Sequence, residues 1–239
     1  MASCLKSEIS AYWTGRTDSF AQLRREEFDS AKRAQWEAEL LRFLPRRNSL
    51  YILDVGTGTG FFALLLAAMG HEVTGIDLTE SMILCAREES VRRNLPTTFL
   101  VMDAENPTFP DETFDAVVTR NLTWSLPHLE AAYRQWHRML KCGGVLINFD
   151  ADYCREQAAQ ALPACHAHNA ITADQAAEYE HLKSELRPTQ HPRPEWDCTL
   201  LKQIGFSEIR VDNALSDRLY AQTDAFFNPT PMFALSAVK

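Results

Sequence analysis

Several features that mark large classes of protein are missing from this chain. No apolar run approaches the ~20 residues that a membrane-spanning helix needs, and the first residues, MASCLKSEIS, lack the apolar stretch of a signal peptide. The six cysteines form no CxxC pair, and disulfide frameworks belong mainly to small secreted chains. We therefore expect a cytoplasmic protein with free thiols and no membrane partner.

Basic charge is scarce as well, because 24 Lys and Arg residues stand against 32 Asp and Glu, for a formal net charge of −8. Binding to a nucleic-acid backbone normally needs a basic patch, so we expect no nucleic-acid partner. The chain does have 46% apolar residues over 239 positions, which is enough for the core of a single globular domain.

The pattern of apolar residues predicts helices first and then an α/β fold. One helical stretch covers 8–20 and contains a polar break, TGRTDS, and a second, amphipathic stretch covers 20–43 and ends before Pro45. Strands and helices then alternate, which is typical of a mostly parallel sheet covered on both faces. The predicted strands are 51–55, 72–76, 98–102, 116–119, 145–149, 206–211 and 232–238. The predicted helices are 61–69, 80–93, 128–140 and 195–204.

Residues 151–192 interrupt this alternation, since they are rich in Ala, His and Gln and carry no strand pattern. They predict helices or a lid inserted after the fifth strand. We accordingly divide one domain into an N-terminal helical cap (1–47), a cofactor-binding core (48–150), the insertion (151–192), and a C-terminal helix with a strand pair (193–239).

The segment YILDVGTGTG at 51–60 joins a strand to a helix through a glycine loop. Such a loop brings backbone N–H groups close to a ligand at the positive end of a helix. Its glycines are spaced G-x-G-x-G, which differs from the dinucleotide fingerprint G-x-G-x-x-G. The loop residues that we expect at the ligand are Gly56, Thr57, Gly58 and Gly60.

Acidic residues follow or end three successive strands. Asp54 precedes the loop, where a carboxylate repels a pyrophosphate but attracts an ammonium group such as that of methionine. Asp77 ends the second strand, where an acidic side chain can accept both ribose hydroxyls. Asp103 follows the third strand, in position to read an adenine amino group, and Leu78 and Met82 are expected to pack on the ring.

Four segments, LDVGTGTG, VTGIDLTESMI, MDAENPTFPDETFDAVVTRN and HRMLKCGGVLINF, resemble the successive motifs of class I S-adenosylmethionine-dependent methyltransferases. They are most similar to the branch that includes the ubiquinone and menaquinone C-methyltransferases. The resemblance covers 51–150 and implies a Rossmann-like, seven-stranded, mostly parallel sheet with an antiparallel last strand, flanking helices and S-adenosyl-L-methionine as cofactor. It assigns cofactor contacts to Asp54, Gly56, Gly58, Asp77, Asp103, Ala104, and Arg120 or Asn121.

The acceptor side is predicted from the rule that ligands bind outside the carboxyl ends of parallel strands. Trp124, in RNLTWSLP, offers an apolar platform with one donor, and Tyr153 ends the segment FDADY. In that segment, we expect either Asp150 or Asp152 to serve as a base or an orienting acceptor, and the other to face solvent or cap a helix.

Two further segments carry candidate residues. Related methyltransferases often fold an N-terminal segment over the cofactor, so Tyr12 and Trp13 are expected there, with Arg16 pairing with the methionine carboxylate. Cys165, His166 and His168 cluster in the insertion, but no zinc-type pair of ligand pairs accompanies them. We expect no metal, and we place His166 on the substrate side.

The activity implied is methyl transfer to a small-molecule acceptor by in-line displacement. A methyl group on a sulfonium is already activated, so the enzyme chiefly aligns the reactants and excludes water. Two alternatives remain open at this stage: an NAD-dependent oxidoreductase that uses the same loop, and a non-catalytic S-adenosylmethionine-binding protein.

Overall fold

The computed structural model describes residues 2–153 and 171–239, and for 2–4 only the backbone. The strands are β1 (Tyr51–Val55), β2 (Glu72–Asp77), β3 (Thr98–Val101), β4 (Phe114–Arg120), β5 (Leu140–Ala151), β6 (Ser207–Asp212) and β7 (Met232–Val238). The α-helices are α1 (Ala2–Phe28), α2 (Lys32–Leu41), α3 (Phe61–Ala68), α4 (Glu80–Arg93), α5 (Leu129–Met139), α6 (Ala173–Glu185), α7 (Glu195–Ile204) and α8 (Leu215–Leu219).

All seven strands form one sheet in the order β3-β2-β1-β4-β5-β7-β6. The first five strands are parallel, and β7 runs antiparallel to both β5 and β6. The predicted fold class is therefore confirmed. The strand order reverses between β1 and β4, and in open α/β sheets the crevice at this switch point is where ligands bind.

Both faces of the sheet are covered, which explains why the central strands are almost continuously apolar. On one face, Trp36 of α2 and Phe62 of α3 pack edge-to-face with Phe149 of β5, with ring centroids 5.5 Å and 5.6 Å from that ring. On the other face, Tyr133 and Trp136 of α5 are fully buried. Truncating an aromatic side chain at such a site costs about 3–5 kcal/mol, so these rings anchor the helices.

The predicted division of the N-terminal helices is wrong. Helix α1 runs without interruption through TGRTDS, and the break falls at 29–31 instead. The polar side chains are accommodated inside the helix, because the Thr14 and Thr17 hydroxyls donate to the carbonyls of Ser10 and Trp13. Packing of α1 beside α4, including an ion pair between Arg25 and Glu89, supports the long helix.

The insertion is described only in part. Helix α6 begins with a capping box between Thr172 and Gln175, and it packs on α1. Among residues 2–153 and 171–239, no helix combines the length and apolarity that crossing a membrane requires. Within the same ranges, no group of three or more His, Cys, Asp or Glu side chains is arranged to hold a metal ion.

Candidate active site

A cleft opens at the carboxyl edge of the sheet, at the switch point between β1 and β4. Its empty volume is about 1570 Å³ when the open mouth is included. Helix α1 crosses it and presents one helical face, at spacings of three or four residues. That face consists of Lys6, Ile9, Tyr12, Trp13, Arg16, Phe20, Leu23 and Arg24.

The glycine loop closes tightly around the floor of the cleft. Gly56 and Gly58 have φ of +66° and +53°, values that side chains rarely adopt. A Cβ atom at Gly56 would lie 2.7 Å from the side chain of Leu122. Gly60 was also predicted to lie at the ligand, but it does not line the cleft. It is the N-cap residue of α3 and lies against Phe99.

Asp54 sits at the start of the glycine loop, almost fully buried. Its Oδ2 accepts hydrogen bonds from the Thr57 hydroxyl at 2.6 Å and from the backbone N–H of Ala63 at 3.0 Å. Burial raises the pKa of Asp54 to about 7, because a charged carboxylate is poorly solvated there. A ligand cation beside Asp54 would therefore stabilise the ionised form of its carboxyl group.

Asp77 is held by the backbone on both of its oxygens. The N–H of Gly58 donates to Oδ2 and that of Thr79 to Oδ1, each at 2.9 Å. Burial raises the pKa of this carboxyl group above its usual range. The side chain is held at the end of β2 facing the cleft, and its remaining lone pairs can accept from hydroxyl groups.

The end of β3 contributes the third carboxylate of the cleft. Asp103 accepts from Lys6 of α1 at 2.7 Å, and Lys6 also pairs with Glu105 at 2.5 Å. Leu78, Met82 and Ala104 also line the cleft and offer apolar surface to a flat ring.

Helix α1 also places the predicted N-terminal residues against the cleft. Arg16 is 3% exposed and its guanidinium donates to the Tyr12 hydroxyl at 3.1 Å and to Ser19 at 3.4 Å. No acidic side chain in the described part of the chain forms an ion pair with it. Trp13 packs edge-to-face on Tyr12, with ring centroids 5.3 Å apart.

The end of β4 places both resemblance-derived residues in the cleft. Asn121 has φ of +53°, and its Oδ1 atom is buried without a hydrogen-bond partner among the described residues. Arg120 donates to Glu27 at 2.9 and 3.2 Å and lies 4.2 Å from the Trp36 ring. Glu27 also pairs with Arg24. Arg24 and Glu27 were not among the predicted site residues. The sequence indicates them only as charged residues on an otherwise apolar face of the helix.

Aromatic side chains line the cleft beyond β4. Trp124 lies 5.1 Å from Tyr153 and 5.2 Å from Tyr179 of α6, ring centroid to centroid, and Tyr179 lies 5.9 Å from Tyr12. Trp124 and Tyr153 were expected here. Tyr179 was missed, because nothing in the sequence indicates where the insertion folds back.

The structure places the proposed bases differently from the expectation. Asp150 does not line the cleft but is fully buried behind Trp124, where it accepts from the Trp124 N–H at 2.9 Å, from the Thr123 hydroxyl and from Arg193 at 3.1 Å. Its orientation follows from strand alternation, which turns it toward α7. Asp152 is half-buried and does not line the cleft either.

Three carboxylates line the cleft within the described ranges. His166 lies outside them, together with Cys165 and His168. Within them, the carboxylates that line the cleft are Asp54, Asp77 and Asp103, and no histidine lines it. The residues present fit a ligand that has an adenosine and an amino acid part, since the glycine cradle, three aspartates and an unpartnered Asn121 oxygen converge.

Known proteins resemble the chain in the same region. A family model described as a methyltransferase domain matches residues 53–148. The ubiquinone/menaquinone biosynthesis C-methyltransferase of Rickettsia bellii is 28% identical over 193 residues, covering 74% of this chain and 76% of that protein. The demethylmenaquinone methyltransferase of Thermus thermophilus is 40% identical over 115 residues, covering 47% and 52%.

A solved structure has the same fold. Phosphoethanolamine N-methyltransferase 2 of Haemonchus contortus, in complex with S-adenosyl-L-methionine, superposes with a TM-score of 0.61 at 21% identity, covering 86% of this chain and 52% of that one. The predicted fold is thereby confirmed, and the domain match together with the two relatives supports the predicted enzyme class and its cofactor, S-adenosyl-L-methionine. Residues 53–148 match a methyltransferase domain, and the chain resembles class I S-adenosylmethionine-dependent methyltransferases, among them the ubiquinone/menaquinone C-methyltransferases.

Proposed function

We propose that this enzyme methylates a small, planar aromatic acceptor. The observation that carries the proposal is the aromatic lining of the cleft beyond β4, where the rings of Trp124, Tyr153, Tyr179 and Tyr12 pack on one another and line the cleft. Flat rings pack favourably against such side chains. Relatives named for ubiquinone and menaquinone biosynthesis support an acceptor of this shape.

The part of the cleft above β1, β2 and β3 is proposed to hold the cofactor, which supplies an activated methyl group. Asp77 would accept the ribose hydroxyls and Asp103 the adenine amino group. Asp54 and the unpartnered Oδ1 of Asn121 would face the ammonium group of the methionine part. Arg16, which lacks an acidic partner among the described residues, would pair with its carboxylate.

The residues of the cleft do not supply a carboxylate or a histidine next to the acceptor within the described ranges. Arg24 and Arg120 make this part of the cleft cationic instead. A positive environment favours the deprotonated form of an acidic acceptor, so a phenol or a carbon acid can enter as an anion. Helix α1 covers the cleft and keeps water away from the reacting atoms.

Formation of S-adenosylhomocysteine with two groups of acceptors tests the aromatic assignment. We expect turnover with dihydroxy-aromatic compounds and none with primary alkylamines. Trp124→Ala should reduce turnover at least tenfold. Tyr51→Ala, which alters an exposed ring at the start of β1, should leave it unchanged. Turnover with alkylamines alone would overturn the proposal.

Arg16 is tested by binding rather than by turnover. We expect Arg16→Gln to weaken S-adenosylhomocysteine at least tenfold in calorimetry, because a charged hydrogen bond contributes about 1.5–3 kcal/mol. Binding of 5′-methylthioadenosine, which lacks the amino acid part, should not change. An equal decrease in affinity for both ligands would show that Arg16 does not bind the carboxylate group.

A further inference from the structure

Two buried arginines share a single carboxylate at one end of the cleft. Arg120 of β4 and Arg24 of α1 both pair with Glu27, whose side chain is fully buried, while each arginine side chain is 9% exposed. Two positive charges and one negative charge leave this cluster with a net charge of +1. Both guanidinium groups line the cleft, whereas Glu27 does not.

The hydrogen-bonding capacity of this pair is not used up. The Nε atoms of Arg24 and Arg120 are buried and have no partner among the described residues. Burial lowers the pKa of Arg24 to about 10 even with Glu27 beside it. Keeping an uncompensated charge out of water is costly, so the protein retains a strong preference for an anion at this place.

The pair lies next to the row of aspartates along the carboxyl edge of the sheet. Along the sheet edge, Asp103, Asp77 and Asp54 stand over β3, β2 and β1, and Arg120 follows over β4. Beyond it, the segment before β7 contributes the lining residues Tyr220, Phe226 and Asn228. The cofactor brings only one carboxylate, and Arg16, which forms no ion pair with an acidic side chain among the described residues, is available for that group.

We propose that the Arg24–Arg120 pair binds a carboxylate or phosphate group carried by the acceptor, so that the substrate class is that of anionic aromatic compounds. This inference rests on the proposed function, because it assumes that an aromatic acceptor occupies the space beside Trp124. Guanidinium groups present donors in a fork that matches the oxygens of both anions. An anionic group at this end would hold the ring in one orientation against the aromatic lining.

Calorimetry on the 239-residue chain saturated with S-adenosylhomocysteine tests the proposal with defined probes. Benzoate and phenyl phosphate represent the two anions, and benzyl alcohol is the neutral counterpart. We expect at least one anion to bind tenfold or more tightly than benzyl alcohol. Arg24→Gln should reduce that preference to less than threefold, and Arg24→Lys, which keeps the charge, should retain most of it.

Arg33→Gln is the matched control, because Arg33 forms an i, i+4 pair with Glu37 and is 41% exposed. It should leave all affinities unchanged. Thermal unfolding of each variant verifies that it is folded, and Arg24→Lys keeps the test decisive if the glutamine variant does not fold.

Three results would overturn the inference. Equal binding of benzoate, phenyl phosphate and benzyl alcohol to the native protein would remove the anion preference. An unchanged preference in Arg24→Gln would assign it to other residues. Loss of S-adenosylhomocysteine binding with retained 5′-methylthioadenosine binding in Arg24→Gln would assign the pair to the cofactor carboxylate. Turnover with alkylamines alone, by contrast, would refute the proposed function itself.

Discussion

Above β1, β2 and β3 the cleft is lined by three aspartates, whereas above β4 and β5 it is lined by arginines and aromatic rings. The two halves also differ in how their charged groups are held. Asp77 is held by backbone N–H groups 2 and 19 positions away, while the contact between Arg120 and Glu27 spans 93 positions. Asp54 and Asp77 depend on strand ends and a local turn, whereas Asp103 also pairs with Lys6 of α1. The other half depends on α1 and the segments that follow β5.

This difference partly follows the bounds of the methyltransferase-domain match. The family match covers 53–148, which includes the acidic half and the end of β4. Arg24, Tyr179 and Tyr220 lie outside that range. We propose that most donor contacts come from the matched part, with Arg16 of α1 added to them, and that α1, α6 and the segment before β7 complete the acceptor half. The following experiments examine that contrast.

The largest effect is expected from the buried network behind Trp124. Arg193 pairs with Asp150 at 3.1 Å and with Asp197 at 2.6 Å, and all three side chains are 1% exposed or less. Arg193→Leu leaves two carboxylates buried without their cation. It should reduce the free energy of unfolding by about 3–5 kcal/mol and lower Tm by roughly 6–20 °C, as measured by calorimetry.

The control for that prediction is Arg134→Gln, which breaks an exposed pair with Glu130 and should cost no more than about 0.5 kcal/mol. If Arg193→Leu were as stable as Arg134→Gln, the network would not support the acceptor half.

The second effect concerns the acidic half. Asp77→Ala removes the acceptor of two backbone hydrogen bonds and the proposed ribose contact. We expect S-adenosylhomocysteine and 5′-methylthioadenosine to bind about 100-fold more weakly, since both contain the ribose and charged hydrogen bonds contribute ~1.5–3 kcal/mol each. Asp111→Ala, at a carboxylate that is 71% exposed, should have no effect. Unchanged affinity in Asp77→Ala would contradict the ribose assignment.

The smallest effect is a pH dependence of cofactor binding. Burial raises the pKa of Asp54 to about 7, so the carboxyl group is increasingly neutral below that pH. Only the ionised form attracts an ammonium group. The affinity for S-adenosylhomocysteine should fall as pH decreases through 7, by up to about tenfold per pH unit, with 5′-methylthioadenosine unaffected. Asp54→Asn should abolish the difference between the two ligands; a parallel pH response of both would argue against the ammonium contact.

The same shift predicts a stability profile for the free enzyme. The folded-state pKa lies above the ~3.9 of an unfolded aspartate, so the folded protein holds a proton that the unfolded chain has released. The contribution of Asp54 to the free energy of unfolding is fully present below about pH 4 and is lost as pH rises to about 7. Denaturant titrations of the native protein and Asp54→Asn should differ in slope over that window.

The order of the secondary structure could be predicted well for the core. Strands β1 and β7 and helices α4 and α7 have the predicted bounds, because their apolar runs end at glycine, proline or charged residues. The N-terminal helices were divided wrongly, since the contacts with α4 that sustain α1 are not visible along the chain. Either Asp150 or Asp152 was expected in the cleft, but neither lines it. The sequence does not indicate that Asp150 packs against Arg193 before α7.

The sequence by itself determined the α/β fold, the methyl-donor family and the positions of Asp54, Asp77 and Asp103 near strand ends. These are local consequences of strand, turn and helix following one another. Only the tertiary structure brought Arg24 and Glu27 to Arg120 and turned Asp150 away from the cleft. Such contacts join residues far apart in the chain, and their geometry is decided by how helices pack on the sheet.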